Sequence, residues 1–280
     1  MTLETRGLQH RYDDGRWVLR GVDAAFAPGR RTAVLGANGA GKSTLFLVLN
    51  GTLRPRAGEV RLEGRPLRHD RRSLASWRAA VGLVVQDPDD QILAPTVAED
   101  VAYGPRNLGL SPAEVERRVD EALDELGLRA LRNAAPHHLS LGERKRVAVA
   151  GILAMHPRVL VLDEPAAGLD PESQRGLLAA LETRRLGGAA VVLSTHDVDL
   201  AAEWADDVVV LAEGRAMRSG SVDAVLGGPG LAAAGLAGRP WTFDVGERLR
   251  TAGLLPPGAL PTRREDVLRA LDRLAVSAGR

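Results

Sequence analysis

The chain contains no cysteine, which excludes disulfides and thiolate-bound metal and fits a reducing compartment. It also lacks any apolar run near the ~18 residues that a membrane-spanning helix needs. Residues 1–10 show neither the basic start nor the apolar core of a secretion signal, so the expectation is a cytosolic protein. Net charge is missing as well: 37 basic residues against 36 acidic ones leave +1 at pH 7. No broad positive field exists to recruit nucleic acid or a lipid surface, so nucleic acid is not an expected partner and any membrane contact must be local. Lysine is the last scarcity. Only Lys42 and Lys145 occur in a chain that otherwise uses arginine, which makes each ammonium worth explaining.

What remains is ample for a core: 280 residues, 45% hydrophobic and 26% charged, allow one main domain with an appendage. Short apolar segments at 17–22, 32–35 and 60–62, separated by Asp13-Asp14-Gly15, Pro28-Gly29 and Ala57-Gly58, predict strands and hairpins. After Gln86 the period turns helical. Ser111-Pro112-Ala113-Glu114 reads as a capping box with proline at the first helical position, Val115, Val119, Leu123 and Leu126 share one face, and Gly127 supplies the stop. Continuous apolar runs at 159–162, 190–193 and 208–211 then predict parallel strands buried on both faces. Beyond Arg218 the composition shifts to Gly, Ala and Pro, as in Gly227-Gly228-Pro229-Gly230, and ends in a helix expected to be capped by Thr262 with Glu265 three residues on. No internal repeat is visible.

Gly36-Ala37-Asn38-Gly39-Ala40-Gly41-Lys42-Ser43 satisfies G-x-x-x-x-G-K-[ST], between an apolar strand and the apolar helix that begins at Thr44. Triphosphate oxygens need a concave ring of backbone N–H donors, which small residues permit, and a helix N-terminus adds a favourable dipole. Lys42 is then the point charge for the β- and γ-phosphates of ATP, and Ser43 offers a hydroxyl to Mg²⁺. A compact ammonium here, in an arginine-rich chain, indicates a place where a planar guanidinium does not fit. The plainer alternative is a glycine turn in a protein with 31 glycines.

Asp163 and Glu164 follow the 159–162 run, at the end of a strand where ligands of parallel sheets sit. Asp163 is the candidate Mg²⁺ holder and Glu164 the candidate general base for water. Alone, such a pair before Pro165 is equally an acidic strand end. His196, in Ser194-Thr195-His196-Asp197, is a candidate γ-phosphate sensor, although a lone histidine at a strand end is more often structural. Gln86 is a candidate near Mg²⁺ and water, or an ordinary polar loop residue. The other histidines have no ligand spacing.

In this order the motifs resemble the ATP-binding-cassette family over about the first 220 residues. Leu139-Ser140-Leu141-Gly142-Glu143-Arg144-Lys145-Arg146 is similar to the family's LSGGQ signature, Gln86 to the Q-loop, Gly168-Leu169-Asp170 to the D-loop and His196 to the switch histidine. Leu141 and Glu143 depart from the usual Gly and Gln. The resemblance implies an α/β fold: a P-loop NTPase core with an antiparallel β portion, an inserted helical subdomain at about 87–138, and a short C-terminal extension over 221–280. It implies that Tyr12 stacks on adenine, a contact worth ~1–3 kcal/mol. It also implies that Ser140 and Gly142 cradle the γ-phosphate bound by a second cassette, so that two ATP molecules are closed in a head-to-tail dimer.

A finer resemblance is to the ATPase subunits of energy-coupling-factor transporters of the cobalt and nickel group. It rests on Gln86-Asp87-Pro88-Asp89-Asp90-Gln91 and on Asp100-Val101-Ala102-Tyr103-Gly104-Pro105-Arg106-Asn107-Leu108-Gly109. By this resemblance the chain is an ATPase on the cytoplasmic face of the membrane, powering uptake of a metal ion or vitamin. Its partners would be scaffold and substrate-binding membrane subunits, with Asp87, Asp89 and Asp90 as docking carboxylates or else a solvated acidic loop. An exporter ATPase, and a non-transport cassette acting on ribosomes or DNA, are the alternatives.

Overall fold

The computed structural model describes residues 2–228, 231–236, 238–255 and 260–278. Pro229 and Gly230, in the glycine-rich stretch read above, lie outside the described residues. Along the chain, β1 (Leu3–Arg11) and β2 (Trp17–Phe26) precede β3 (Arg31–Leu35), the glycine-rich turn and α1 (Lys42–Leu49). β4 (Ala57–Leu62), β5 (Arg65–Pro66), α2 (Arg71–Ala80) and β6 (Val81–Val84) follow. Three helices come next, α3 (Val97–Asn107), α4 (Pro112–Glu125) and α5 (Leu141–Leu153). The chain then alternates β7 (Val159–Leu162), α6 (Pro171–Leu186), β8 (Ala190–Thr195), α7 (Val198–Trp204), β9 (Asp207–Ala212) and β10 (Arg215–Ser221). It ends in α8 (Val222–Leu226), α9 (Trp241–Thr251) and α10 (Arg264–Ala278).

Two sheets result. One is antiparallel, in the order β2-β1-β4-β5; the other runs β10-β9-β3-β8-β7-β6, parallel except for β10 at its edge. Because side chains alternate along a strand, the parallel sheet feeds two cores. Leu160, Leu162, Val191, Leu193, Val208 and Val210 pack toward α3 to α6, whereas Val161, Val192, Val209 and Leu211 pack against α1 and the antiparallel sheet. Burying each such Val or Leu contributes about 1.5–3 kcal/mol. The continuous apolar runs are therefore strands with two buried faces, as predicted. The edge strand β10 escaped that pattern because its residues are alternately exposed.

α5 packs on α3 and α4. The buried side chains of α4 are Val115, Val119, Ala122 and Leu123, and Gly127, at φ 65°, follows its end. Its capping box is only half made: Ser111 accepts from the Glu114 N–H, but the Glu114 carboxylate turns to Arg117 and Arg118 instead of back to Ser111. The last helix is corrected too. It starts at Arg264, the Thr262 carbonyl accepts from the Thr242 hydroxyl, and Asp266 accepts from the Arg263 N–H. Asp199 accepts from the first amide of α9 at 2.9 Å and Glu203 from that of α10 at 2.8 Å, so both helices of the extension are anchored on α7. Among the described residues no helix is long and apolar enough to cross a membrane.

The β9–β10 turn ties the two sheets together. Gly214 sits at φ 74°, its carbonyl accepts from Arg20 N–H at 2.8 Å, and a Cβ there would lie 2.1 Å from the Val18 carbonyl oxygen. Gly214→Ala combines a left-handed backbone with a backbone clash, and should destabilise the fold by about 2–4 kcal/mol. Urea denaturation measures this; a midpoint equal to the parent's would show that the two sheets are free to part here.

Candidate nucleotide site

β3 is the central strand between β8 and β9, so the loop leaving its C-terminal end lies beside the ends of both. Gly36 opens the loop under the Leu211 carbonyl oxygen, 2.5 Å from where a Cβ would stand. Ala40 N–H donates to the Ala37 carbonyl at 3.1 Å to close the turn, and Gly41, at φ 105°, starts α1. Lys42 is only 6% exposed. Its Nζ donates to the Gly36 carbonyl at 2.8 Å and the Ala37 carbonyl at 3.3 Å, and lies 3.4 Å from Glu164 Oε1.

β7 delivers the two carboxylates and β8 fixes them. Ser194 Oγ, fully buried, donates to Asp163 Oδ1 at 2.5 Å and accepts from the Glu164 N–H at 2.8 Å. Glu164 adopts φ 44°, a left-handed backbone uncommon for a side chain of this size. Its carboxylate lies between two nitrogen-bearing side chains: Oε1 faces Lys42, and Oε2 lies 3.6 Å from Nδ1 of His196, which is largely exposed.

A cavity of about 600 Å³ brings together Tyr12, Asn38, Gly39, Gly41, Lys42, Ser43, Thr44, Gln86 and Glu164. Tyr12 Oη is 3.1 Å from Thr44 Oγ1, the Arg16 guanidinium lies 5.7 Å from the Tyr12 ring centre, and His10 meets the ring edge-on. A neighbouring cavity of about 630 Å³ holds Ser43, Gln86 and Asp163 with Asp87, Asp90, Leu141 and Lys145. Ser43, Gln86 and Asp163, the residues expected near Mg²⁺, thus share one cavity with two further carboxylates, Asp87 and Asp90. Among the described residues no group of three or more His, Cys, Asp or Glu side chains is gathered as a metal cluster.

Ser140, Gly142 and Asp170 do not line either cavity, although Leu141, between the first two, borders the second. Ser140 caps α5 in a complete capping box: its Oγ accepts from the Glu143 N–H, while Glu143 Oε2 accepts from the Ser140 N–H at 2.8 Å. Glu143 Oε2 also accepts from the Ser140 hydroxyl at 2.8 Å, and the two bonds to the carboxylate, the Ser140 N–H first, lower the pKa of the Glu143 carboxyl. Asp170 caps α6 by accepting from the Glu172 and Ser173 N–H groups, each at 3.0 Å. Hydrogen bonds from Ser173, its side chain first, lower the Asp170 carboxyl. The two segments touch each other, since a Cβ on Gly142 would lie 3.4 Å from Leu169 and one on Gly168 would lie 3.6 Å from Leu141.

Asp89 pairs with Arg144 at 2.9 Å and Asp87 accepts from the Asp89 N–H at 3.0 Å, whereas the Asp90 side chain has no partner among the described residues. Sequence reasoning missed Arg16, Trp17 and Glu213 in the nucleotide cavity, for which no local pattern exists. It also gave no role to Ser194, whose signal was its place one strand away from the acidic pair.

Residues 19–167, more than half of the chain, match the family model described as ABC transporter. The chain belongs to the ABC transporter family. It is an ATP-binding ATPase cassette with that family's α/β fold. It is 52% identical over 219 residues to the energy-coupling factor transporter ATP-binding protein EcfA of Methanocaldococcus jannaschii, covering 78% of each chain. With the cobalt import ATP-binding protein CbiO of Rhodobacter capsulatus it shares 46% identity over 264 residues, 94% of each chain. The solved structure of cbiO1 from Clostridium perfringens, described as part of the ABC transporter complex cbiONQ, superposes with a TM-score of 0.73 at 36% identity, covering 90% of this chain and 96% of that one.

Proposed function

We propose that this ABC cassette hydrolyses ATP to drive an energy-coupling factor importer of cobalt, nickel or a vitamin, bound to membrane subunits on the cytoplasmic face. The observation that carries the catalytic part is the Glu164 carboxylate held between Lys42 and His196 at the mouth of the phosphate loop. Water attacking the γ-phosphorus must lose a proton, and Glu164 is the base placed to take it. Lys42 and the amides of residues 36–43 bind the phosphates, His196 contacts the γ-phosphate, and Tyr12 supports the adenine. Ser43, Gln86 and Asp163 are the residues that would hold Mg²⁺, which when bound would supply positive charge to the phosphate oxygens.

Ser140, Gly142 and Asp170 lie outside their own chain's cavity, which supports their action in trans, on ATP bound by a second cassette. The helical subdomain at about 87–138, which includes α3 and α4, is the part we assign to the membrane scaffold, with Asp90 as the carboxylate left for a basic partner. Energy coupling and cobalt enter through the relatives EcfA and CbiO. Isolating the chain from its native membranes in mild detergent tests the reading. Stoichiometric recovery of a scaffold and a substrate-binding membrane subunit is expected, with ATP turnover higher in the complex than in the cassette alone. Recovery with ribosomal RNA, or with a single polytopic exporter chain, would overturn it.

A further inference from the structure

We propose that Lys145 is a positioning residue through which the signature helix α5 fixes the backbone of Glu164 in the same chain. This deepens the general-base reading of Glu164 and rests on it. Lys145 is one of two lysines in the sequence, lies on the second turn of α5 and is 9% exposed. Its Nζ donates to the Ala167 carbonyl at 2.6 Å and to the Glu164 carbonyl at 3.2 Å. Burial pushes the ammonium's pKa down, while Glu164, Asp87 and Asp163 favour its charged form.

Those bonds matter because Glu164 is strained. A left-handed backbone at a non-glycine residue costs about 1–3 kcal/mol and persists only where the surroundings enforce it. Three contacts do so here. The Glu164 N–H is held by Ser194 Oγ, and its carbonyl receives both the Ala167 N–H at 3.2 Å and Lys145 Nζ. Ser194 belongs to β8 and Ala167 to the turn itself, so Lys145 is the member of this set that reports the position of another helix. α5 begins at the Ser140 cap. A shift of that helix is therefore delivered, through one nitrogen, to the residue whose φ aims the carboxylate at Lys42 and His196. Two carbonyls converging on one atom need a compact donor with rotatable protons, which an ammonium provides and a planar guanidinium does not.

The test compares full-length Lys145→Met, Lys145→Arg and Glu164→Gln with the parent for kcat, for the Kd of a fluorescent ATP analogue with Mg²⁺, and for thermal midpoint. Lys145→Met should lower kcat by about tenfold with Kd changed less than about twofold, because misplacing a reacting group costs turnover rather than binding. Lys145→Arg, which keeps a charged donor able to serve one of the two carbonyls but not both from a single atom, should recover part of that loss. A kcat for Lys145→Met within about twofold of the parent overturns the proposal. So does a parallel fall of kcat, affinity and thermal midpoint in both lysine variants, which marks a strut for the whole fold. If Lys145→Met does not accumulate folded, Lys145→Gln, whose amide still donates to one carbonyl, carries the comparison. Glu164→Gln separates the two layers: parental turnover by that variant removes the base reading, whereas an inactive Glu164→Gln beside an unaffected Lys145→Met sinks the positioning role alone.

Discussion

Glu164→Gln is expected to lower steady-state ATP turnover by about 10²- to 10⁴-fold while leaving ATP bound, the range that loss of a positioned general base produces. The substitution changes little else. The amide has the volume of the carboxylate, its carbonyl oxygen can still face Lys42, and the backbone bond from the Glu164 N–H to Ser194 does not involve the side chain. What disappears is an atom able to accept a proton from water. Nucleotide bound by the phosphate loop should therefore survive gel filtration with the variant, and light scattering in ATP should show a mass near twice that of the single chain as two cassettes remain closed. Phosphate release measured over many turnovers gives the decisive number. Parental turnover by the variant would leave Glu164 no role in proton transfer and would return His196 or a phosphate oxygen to consideration.

The phosphate loop and the acidic pair were legible because their chemistry is local: small residues, an ammonium and a hydroxyl within one turn, then two carboxylates after an apolar strand. The parallel strands were legible because two buried faces leave no polar alternation. What the sequence hid is contact between distant segments. Ser194 follows the acidic pair by about thirty residues, and its bridge between Asp163 and Glu164 exists only because β8 lies beside β7. Lys145 was conspicuous by composition, but the carbonyls it serves come from a turn in another element. The positive φ of Glu164 could not be read at all, since glutamate carries no signature of that conformation. The Ser111 cap position held but its reciprocal bond did not, for a related reason. Glu114 and Glu143 stand at the same offset from a serine, yet neighbouring arginines capture the first carboxylate and the second completes its box.

Lys42→Ala is the variant expected to act on binding rather than on turnover of bound nucleotide. The ammonium is buried and placed among the Gly36 and Ala37 carbonyls and the Glu164 carboxylate, so its charge is already desolvated and needs little reorganisation to meet phosphate oxygens. A charge-assisted bond of this kind contributes about 1.5–3 kcal/mol. Its loss should therefore weaken ATP binding by roughly 10- to 150-fold. Lys42→Arg should not restore it. The Lys42 Nζ sits 2.8 Å from the Gly36 carbonyl and 3.3 Å from the Ala37 carbonyl, a seat for a compact ammonium that a planar guanidinium does not reproduce. The same titration with Glu164→Gln supplies the contrast, because that variant keeps the cation and should keep affinity near the parent's. Parental affinity in Lys42→Ala would mean that the glycine-rich turn does not grip the triphosphate, and the assignment of every residue around it would have to be rebuilt from another anion-binding surface.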